Sequence, residues 1–250
     1  MKKTFLLSCL MLAAMPVMAA YTGHVYVDKN KNGVFDQSEK PLAGIKVSDG
    51  LNVVETAADG SFTLPGHERE RFIFITTPSG YKTFNRHYHK IEKKQSGYDF
   101  GLIPYSGRIR KDGSHRYIHI TDTEIFNTEN HADWVNNVHD YARNEQAAFI
   151  IHTGDICYEK GLKAHIKLMN TENMDCPVFY CIGNHDLVKG KYGEELFESI
   201  YGPVYYSFDA GNVHYVVTPM PGGDHAPGYT SDDVCRWLKN DLAHIRPGTP

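Results

Sequence analysis

The run Phe149-Ile150-Ile151-His152-Thr153-Gly154-Asp155 sets the fold class. A strand-forming apolar segment meets a glycine that permits an abrupt turn, and a carboxylate follows at once. The same grammar occurs twice more. Tyr117-Ile118-His119-Ile120 leads into Asp122-Thr123-Glu124, and Val178-Phe179-Tyr180-Cys181 leads into Gly183-Asn184-His185-Asp186. Strands are expected over 117–121, 148–152 and 178–181, and helices over 133–143, 162–170 and 232–244, so strand and helix alternate. In the last helix Ser231 is expected to cap, and Val234, Trp237, Leu238 and Leu242 form an apolar stripe. The segment 107–250 is therefore α/β.

Upstream the pattern changes. From Tyr21 to Pro104 short alternating runs recur at 24–27, 44–47, 53–56, 61–64 and 72–75, punctuated by turn residues. Asp59-Gly60 reads as a hairpin signal, and the spacing implies a small all-β sandwich expected to fold by itself. Domains are expected at 21–106 and 107–250, with the linker near Gly107. No internal repeat or low-complexity tract is present.

Lys2-Lys3, an apolar run from Phe5 to Met18 and the small residues Ala19-Ala20 have the order of a secretory signal peptide over residues 1–20. The run is shorter than the ~20 residues of a membrane span. A lipoprotein reading through Cys9 leaves too few residues ahead of the cysteine. A periplasmic or secreted location is expected. Across 250 residues there are 26 Lys+Arg against 30 Asp+Glu, with 41% hydrophobic residues, as in a folded soluble domain. Removal of Lys2 and Lys3 leaves 24 basic against 30 acidic residues, a net −6. That balance, with no basic run, disfavours nucleic acid as a partner. Cys157, Cys176, Cys181 and Cys235 would remain after processing; three pairings are open, as are free thiols.

The stretch Asp28-Lys29-Asn30-Lys31-Asn32-Gly33-Val34-Phe35-Asp36-Gln37-Ser38-Glu39 fits a twelve-residue calcium loop. Asp28, Asn30, Asn32, Asp36 and Glu39 would supply side-chain oxygens and Val34 a carbonyl. The flanks read as strands, so a polar turn without an ion is the competing interpretation. Any Ca²⁺ there is expected to brace the β domain.

Ligands in α/β sheets bind outside the carboxyl ends of the strands. Adjacent strands would gather Asp122, Glu124, Asp155, Asn184, His185 and Asp186 at one edge. Clustered carboxylates resist ionising unless divalent cations neutralise them, so a metal site is the economical explanation.

This ordered set, with Tyr201-Gly202-Pro203-Val204-Tyr205-Tyr206-Ser207-Phe208 and Gly211-Asn212-Val213-His214 behind it, resembles the calcineurin-like metallophosphoesterases. The closest pattern is the secreted bacterial type with an N-terminal β domain. The resemblance implies an αββα sandwich and hydrolysis of phosphate esters by two divalent ions (Mn, Fe, Zn or Mg). It implies metal ligation by Asp122, Glu124, Asp155 and Asn184, with Asp155 bridging. His185 would protonate the leaving oxygen, and Asp186 would orient its ring.

Two departures stand out. Glu124 occupies a position where the family usually has histidine, which favours harder ions. The later histidine motifs of the family are not present, so the sandwich is expected to be incomplete and the chain feebly active. An inert envelope protein whose β domain binds a surface partner is the alternative function. His87, His89, His119, His152 and the helix stripe at Trp134 are expected to be packing or supporting residues.

Overall fold

The computed structural model describes residues 20–95, 97–105 and 108–250. The expected signal peptide lies almost wholly outside the described residues, as does Gly107 at the expected boundary. Nine short strands come first: β1 (Tyr21–Val27), β2 (Lys40–Pro41), β3 (Lys46–Ser48), β4 (Val53–Glu55), β5 (Ser61–Leu64), β6 (Phe72–Ile75), β7 (Tyr81–Thr83), β8 (Tyr88–Lys90) and β9 (Phe100–Pro104). They form two sheets, one ordered β2-β1-β9-β7 with β5 also on β1, the other β4-β3-β6-β8. Pairing is antiparallel except where β1 runs parallel to β9.

Asp59-Gly60 turns the chain, but not into a hairpin. β4 pairs with β3 and β5 with β1, so the turn carries the chain from one sheet to the other. Gly60 is required there: its φ is +78°, and a Cβ would stand 2.6 Å from the Val25 carbonyl.

β6, with the sequence Phe-Ile-Phe-Ile, is buried along its whole length. Successive side chains of a strand point to opposite faces. Ile73 and Ile75 join Val25, Val47, Phe62, Leu64 and Leu102 between the two sheets. Phe72 and Phe74 point the other way, into a second core with Tyr88, Phe149, Phe179, Tyr206, Phe208 and Trp237. The expectation of independent folding changes accordingly, because the isolated sandwich would bare Phe72, Phe74 and Tyr88.

The remaining elements are β10 (Tyr117–Ile120), α1 (His131–Asn144), β11 (Phe149–His152), α2 (Tyr158–Leu168), β12 (Val178–Tyr180), α3 (Glu195–Tyr201), β13 (Tyr206–Ala210), β14 (Val213–Val217) and α4 (Ser231–Leu242). The strands β10-β11-β12 form a parallel sheet in chain order, and β13-β14 is an antiparallel hairpin. Val135, Ala142, Leu162, Met169, Phe197 and Tyr201 pack with Ile150, Val178 and Tyr180 on one side of the parallel sheet. On the other side Phe149 and Phe179 meet the hairpin, with Phe179 stacked on Phe208 at 3.6 Å. The fold is a mixed α/β arrangement preceded by an all-β region. α4 is capped by Thr230 rather than the expected Ser231: the Thr230 hydroxyl accepts from Asp233 N–H while the Asp233 carboxylate accepts from Thr230 N–H.

A buried polar network also spans the two regions. Thr76 Oγ1 meets Ser207 Oγ at 2.9 Å, and Ser207 donates to Asp241 at 2.9 Å. The His214 imidazole sits between Asp241 at 2.8 Å and Asp209 at 2.6 Å, and Lys46 reaches Asp209 at 3.4 Å. Burial draws the His214 pKa down, but the hydrogen bonds to Asp209 and Asp241 overrule it and push it up to about 9. Arg71, ahead of β6, pairs with Glu194 at 2.9 Å and Glu198 at 3.0 Å. The four cysteines of the described residues are unpaired. No helix there is long and apolar enough to cross a membrane.

Candidate active site

Parallel pairing continues past the strand ends and draws the first two polar loops together. Asp122 N–H donates to the Gly154 carbonyl at 3.1 Å, Glu124 N–H to that of Asp155 at 3.0 Å, and Ile125 N–H to that of Ile156 at 2.8 Å. The third loop joins through His185, whose N–H donates to Asp155 Oδ1 at 3.0 Å. Side-chain-free crossings permit this closeness. A Cβ on Gly154 would stand 2.4 Å from Gly183 N, and one on Gly183 only 2.2 Å from Asp155 N and Oδ1. Asp122, Glu124, Asp155, Cys157 and Tyr158 all adopt positive φ, between 42° and 80°. Left-handed backbone at non-glycine residues costs of order 1–3 kcal/mol each and concentrates at functional sites.

Asp186 does not orient the His185 ring, contrary to the role the family resemblance implied. It is buried and accepts Cys157 N–H at 2.8 Å and Gly183 N–H at 3.0 Å, which ties the second loop to the third. Burial raises its pKa against the pull of those N–H groups. The partner of His185 is Asp224, whose Oδ2 accepts from Nδ1 at 2.9 Å. That hydrogen bond raises the imidazole pKa, with the charges of Asp224, Asp155 and Glu124 adding to it. Asp224 carried no signal in the sequence: it lies outside every motif, in a loop held by its own N–H on the Asn184 carbonyl at 3.1 Å. Gly223 beside it lets the two loops touch, since a Cβ would meet that carbonyl at 2.4 Å.

The histidines inside the strands support the loops. His119 bonds Thr153 Oγ1 at 2.8 Å, and His152 bonds Thr123 Oγ1 at 3.0 Å. Burial pulls the His152 pKa down to about 4, so the ring is neutral. His89 bonds the Asp99 carbonyl at 2.8 Å, and His87 is buried against Tyr206. Neither is near the strand-end loops.

The donor set suits hard divalent ions: Asp122, Glu124 and Asp155 offer carboxylates and Asn184 an amide oxygen. Among the described residues no Lys or Arg ion-pairs with any of the three carboxylates, and the Glu124 carboxylate and Asn184 amide have no hydrogen-bond partner. The carboxylate oxygens of Asp122, Glu124 and Asp155 do not all lie within 4.8 Å of one another. The trio that does converge is Asp49, His67 and Glu70, in the sandwich, which no sequence spacing marked. Its atoms are already engaged. Asp49 accepts from Leu51 N–H and Asn52 N–H at 3.0 and 2.8 Å, His67 bonds the Asp49 carbonyl at 3.1 Å, and Glu70 accepts from Tyr21 OH and His67 N–H.

The Asp28–Glu39 loop is likewise closed on itself. Asp28 is buried and accepts Asn32 N–H at 3.2 Å and Gly33 N–H at 2.9 Å. Glu39 accepts Lys29 N–H at 2.9 Å and Asp36 N–H at 3.2 Å. The Asn30 and Asn32 amides donate to Asp36 at 2.7 and 3.2 Å. Val34 is exposed at the tip of the loop.

Residues 115–240 match the family model described as calcineurin-like phosphoesterase, and residues 29–104 match the one described as the N terminal of calcineurin-like phosphoesterase. The chain belongs to the calcineurin-like phosphoesterase family. No curated protein matches its sequence.

Proposed function

We propose that the chain is a hydrolase of phosphate esters that uses a dinuclear metal centre held by Asp122, Glu124, Asp155 and Asn184, with His185 as general acid. The observation that carries this reading is the 3.0 Å hydrogen bond from His185 N–H to Asp155 Oδ1, which joins the third loop to the first two. Divalent ions, when bound, lower the pKa of water and neutralise charge on phosphate oxygens. The residues supply the rest. Asp224 takes the Nδ1 proton of His185 in a hydrogen bond and leaves Nε2 to deliver a proton to the departing alcohol oxygen. Asp186 accepts Cys157 N–H and Gly183 N–H, which holds the loop that carries His185 against the loop that carries Asp155. The excess of carboxylates supports harder ions such as Mn²⁺ or Mg²⁺.

We infer also that residues 1–20 direct export, from the order of their charged, apolar and small-residue segments. Ca²⁺ in the Asp28–Glu39 loop would brace the sandwich, supported by the oxygen-donor spacing.

The test is turnover of p-nitrophenyl phosphate and its bis-ester by the full-length protein with each of Mn²⁺, Mg²⁺, Zn²⁺ and Fe²⁺. Activity that a chelator removes and metal restores is expected, weak as the missing histidine motifs imply, and His185→Ala should keep bound metal while losing roughly 10²–10⁴-fold in rate. No turnover with any of the four ions would overturn the reading.

A further inference from the structure

Beside the proposed metal ligands lies a cleft of about 970 Å³ whose walls run from Asp122 and Glu124 to the start of α1. Phe126 stands on its lip, 58% exposed, and Tyr158 beside it is 41% exposed. The two ring centroids are 5.6 Å apart, and the Tyr158 ring is 6.0 Å from that of His185. Aromatic faces therefore step away from the general acid one ring at a time. Tyr158 is held there at a φ of 49°, on the strained turn that also sets Asp155. Large apolar side chains left bare beside strained backbone are expected where a ligand covers them.

We propose that Phe126 and Tyr158 seat the base of a nucleoside phosphate, so that the leaving alcohol is a nucleoside. This rests on the phosphoesterase reading above. The cleft walls favour a heteroaromatic ring over a lipid chain. Asn127 and Asn130 line the same cleft as Phe126 and Trp134. Asn130 precedes α1 yet makes no side-chain cap bond, which leaves its amide to meet the edge of a base. An aliphatic tail would bury that amide without a partner. In the reaction the ester P–O bond breaks as the oxygen of water bonds to phosphorus. The leaving oxygen takes its proton from His185, the attacking water gives up one proton to solvent, from which His185 is reprotonated, and a monoester yields nucleoside and inorganic phosphate.

Two measurements separate the seat from the chemistry. In the first, calorimetric titration of the metal-free, full-length protein with adenosine should show binding that ribose does not. Phe126→Ala combined with Tyr158→Ala should weaken it at least about tenfold, as stacking on aromatic side chains implies, whereas Tyr158→Phe should retain it. In the second, adenosine 5′-monophosphate should exceed ribose 5-phosphate by at least about tenfold in kcat/KM with Mn²⁺, and the double substitution should collapse that ratio. The two substrates share a primary alcohol, so leaving-group chemistry does not enter the ratio. Equal turnover of the two, adenosine binding indifferent to both rings, or octyl phosphate binding more tightly than adenosine would overturn the seat while leaving the phosphoesterase intact. Adenosine bound through both rings with neither phosphate hydrolysed would overturn the phosphoesterase reading and uphold the seat.

Discussion

Two acidic regions of this molecule look alike in sequence and differ in what their oxygens do. In the Asp28–Glu39 loop the carboxylates of Asp28 and Glu39 take backbone N–H groups, and Asp36 takes two side-chain amides. At the ends of β10, β11 and β12, Asp155 accepts one backbone N–H through Oδ1, and the Glu124 carboxylate has no hydrogen-bond partner among the described residues. The first loop is held by its own donors and the second by glycine crossings and strained backbone. An ion added to the first adds to a finished structure; at the second it would supply the charge the fold leaves uncompensated.

The largest expected effect breaks the comparison if it fails. Asp155→Ala should remove bound metal and lower phosphoester turnover by roughly a thousandfold or more. Asp28→Ala, in the self-satisfied loop, should leave turnover within about twofold when tested by the same metal analysis and rate.

Next comes a third carboxylate pair of the internally satisfied kind, Asp209 and Asp241 around His214. Its folded pKa of about 9 lies above the ordinary histidine value of about 6.5. The charged clamp therefore contributes fully below pH ~6.5 and is lost as pH rises toward about 9, with a total on the order of 3 kcal/mol. Denaturant titrations across that window should show the loss, and His214→Gln should flatten it. Equal pH dependence in both proteins would place the clamp outside the stability of the fold.

Gly183→Ala sharpens the contrast at the site. With its Cβ 2.2 Å from Asp155 N, the substitution should cost about 2 kcal/mol or more and displace Asp155, lowering metal affinity and the unfolding midpoint together. The smallest effect belongs to the first loop. Millimolar Ca²⁺ should stabilise the protein by about 1 kcal/mol, read as a rise in Tm that Asp28→Ala with Glu39→Ala abolishes. An unchanged Tm in calcium and in chelator would make the loop a turn held by its own N–H groups.

What could be read in advance followed from local rules. The strands ending in Asp122, Asp155 and Asn184 were visible because apolar runs stop abruptly at polar residues, and that pattern alone places those ends along one sheet edge. Helix α3 was not anticipated. It is seven residues long, and Glu198 within it and Glu194 at its N-cap find their partner in Arg71, more than a hundred positions earlier, which no local pattern encodes. Asp224 was missed for the same reason: loop packing across Gly223 brings it to His185. Asp186 was read as the ring's partner from the family resemblance; in the structure it turns inward to backbone N–H groups. The Asp59-Gly60 turn was legible as a turn, but its crossing between sheets depends on β1, which lies far back in the chain.

The double burial of β6 has a consequence for how the chain is made. Phe72, Phe74 and Tyr88 leave the ribosome about 120 to 165 residues before Phe208 and Trp237, which cover them. At synthesis rates of ~5–20 residues/s that interval is roughly 6–33 s, during which an aromatic sheet face waits for its cover. A nascent chain halted before α4 should adhere to holdase chaperones or to its own copies through that face, and release should coincide with the arrival of Trp237.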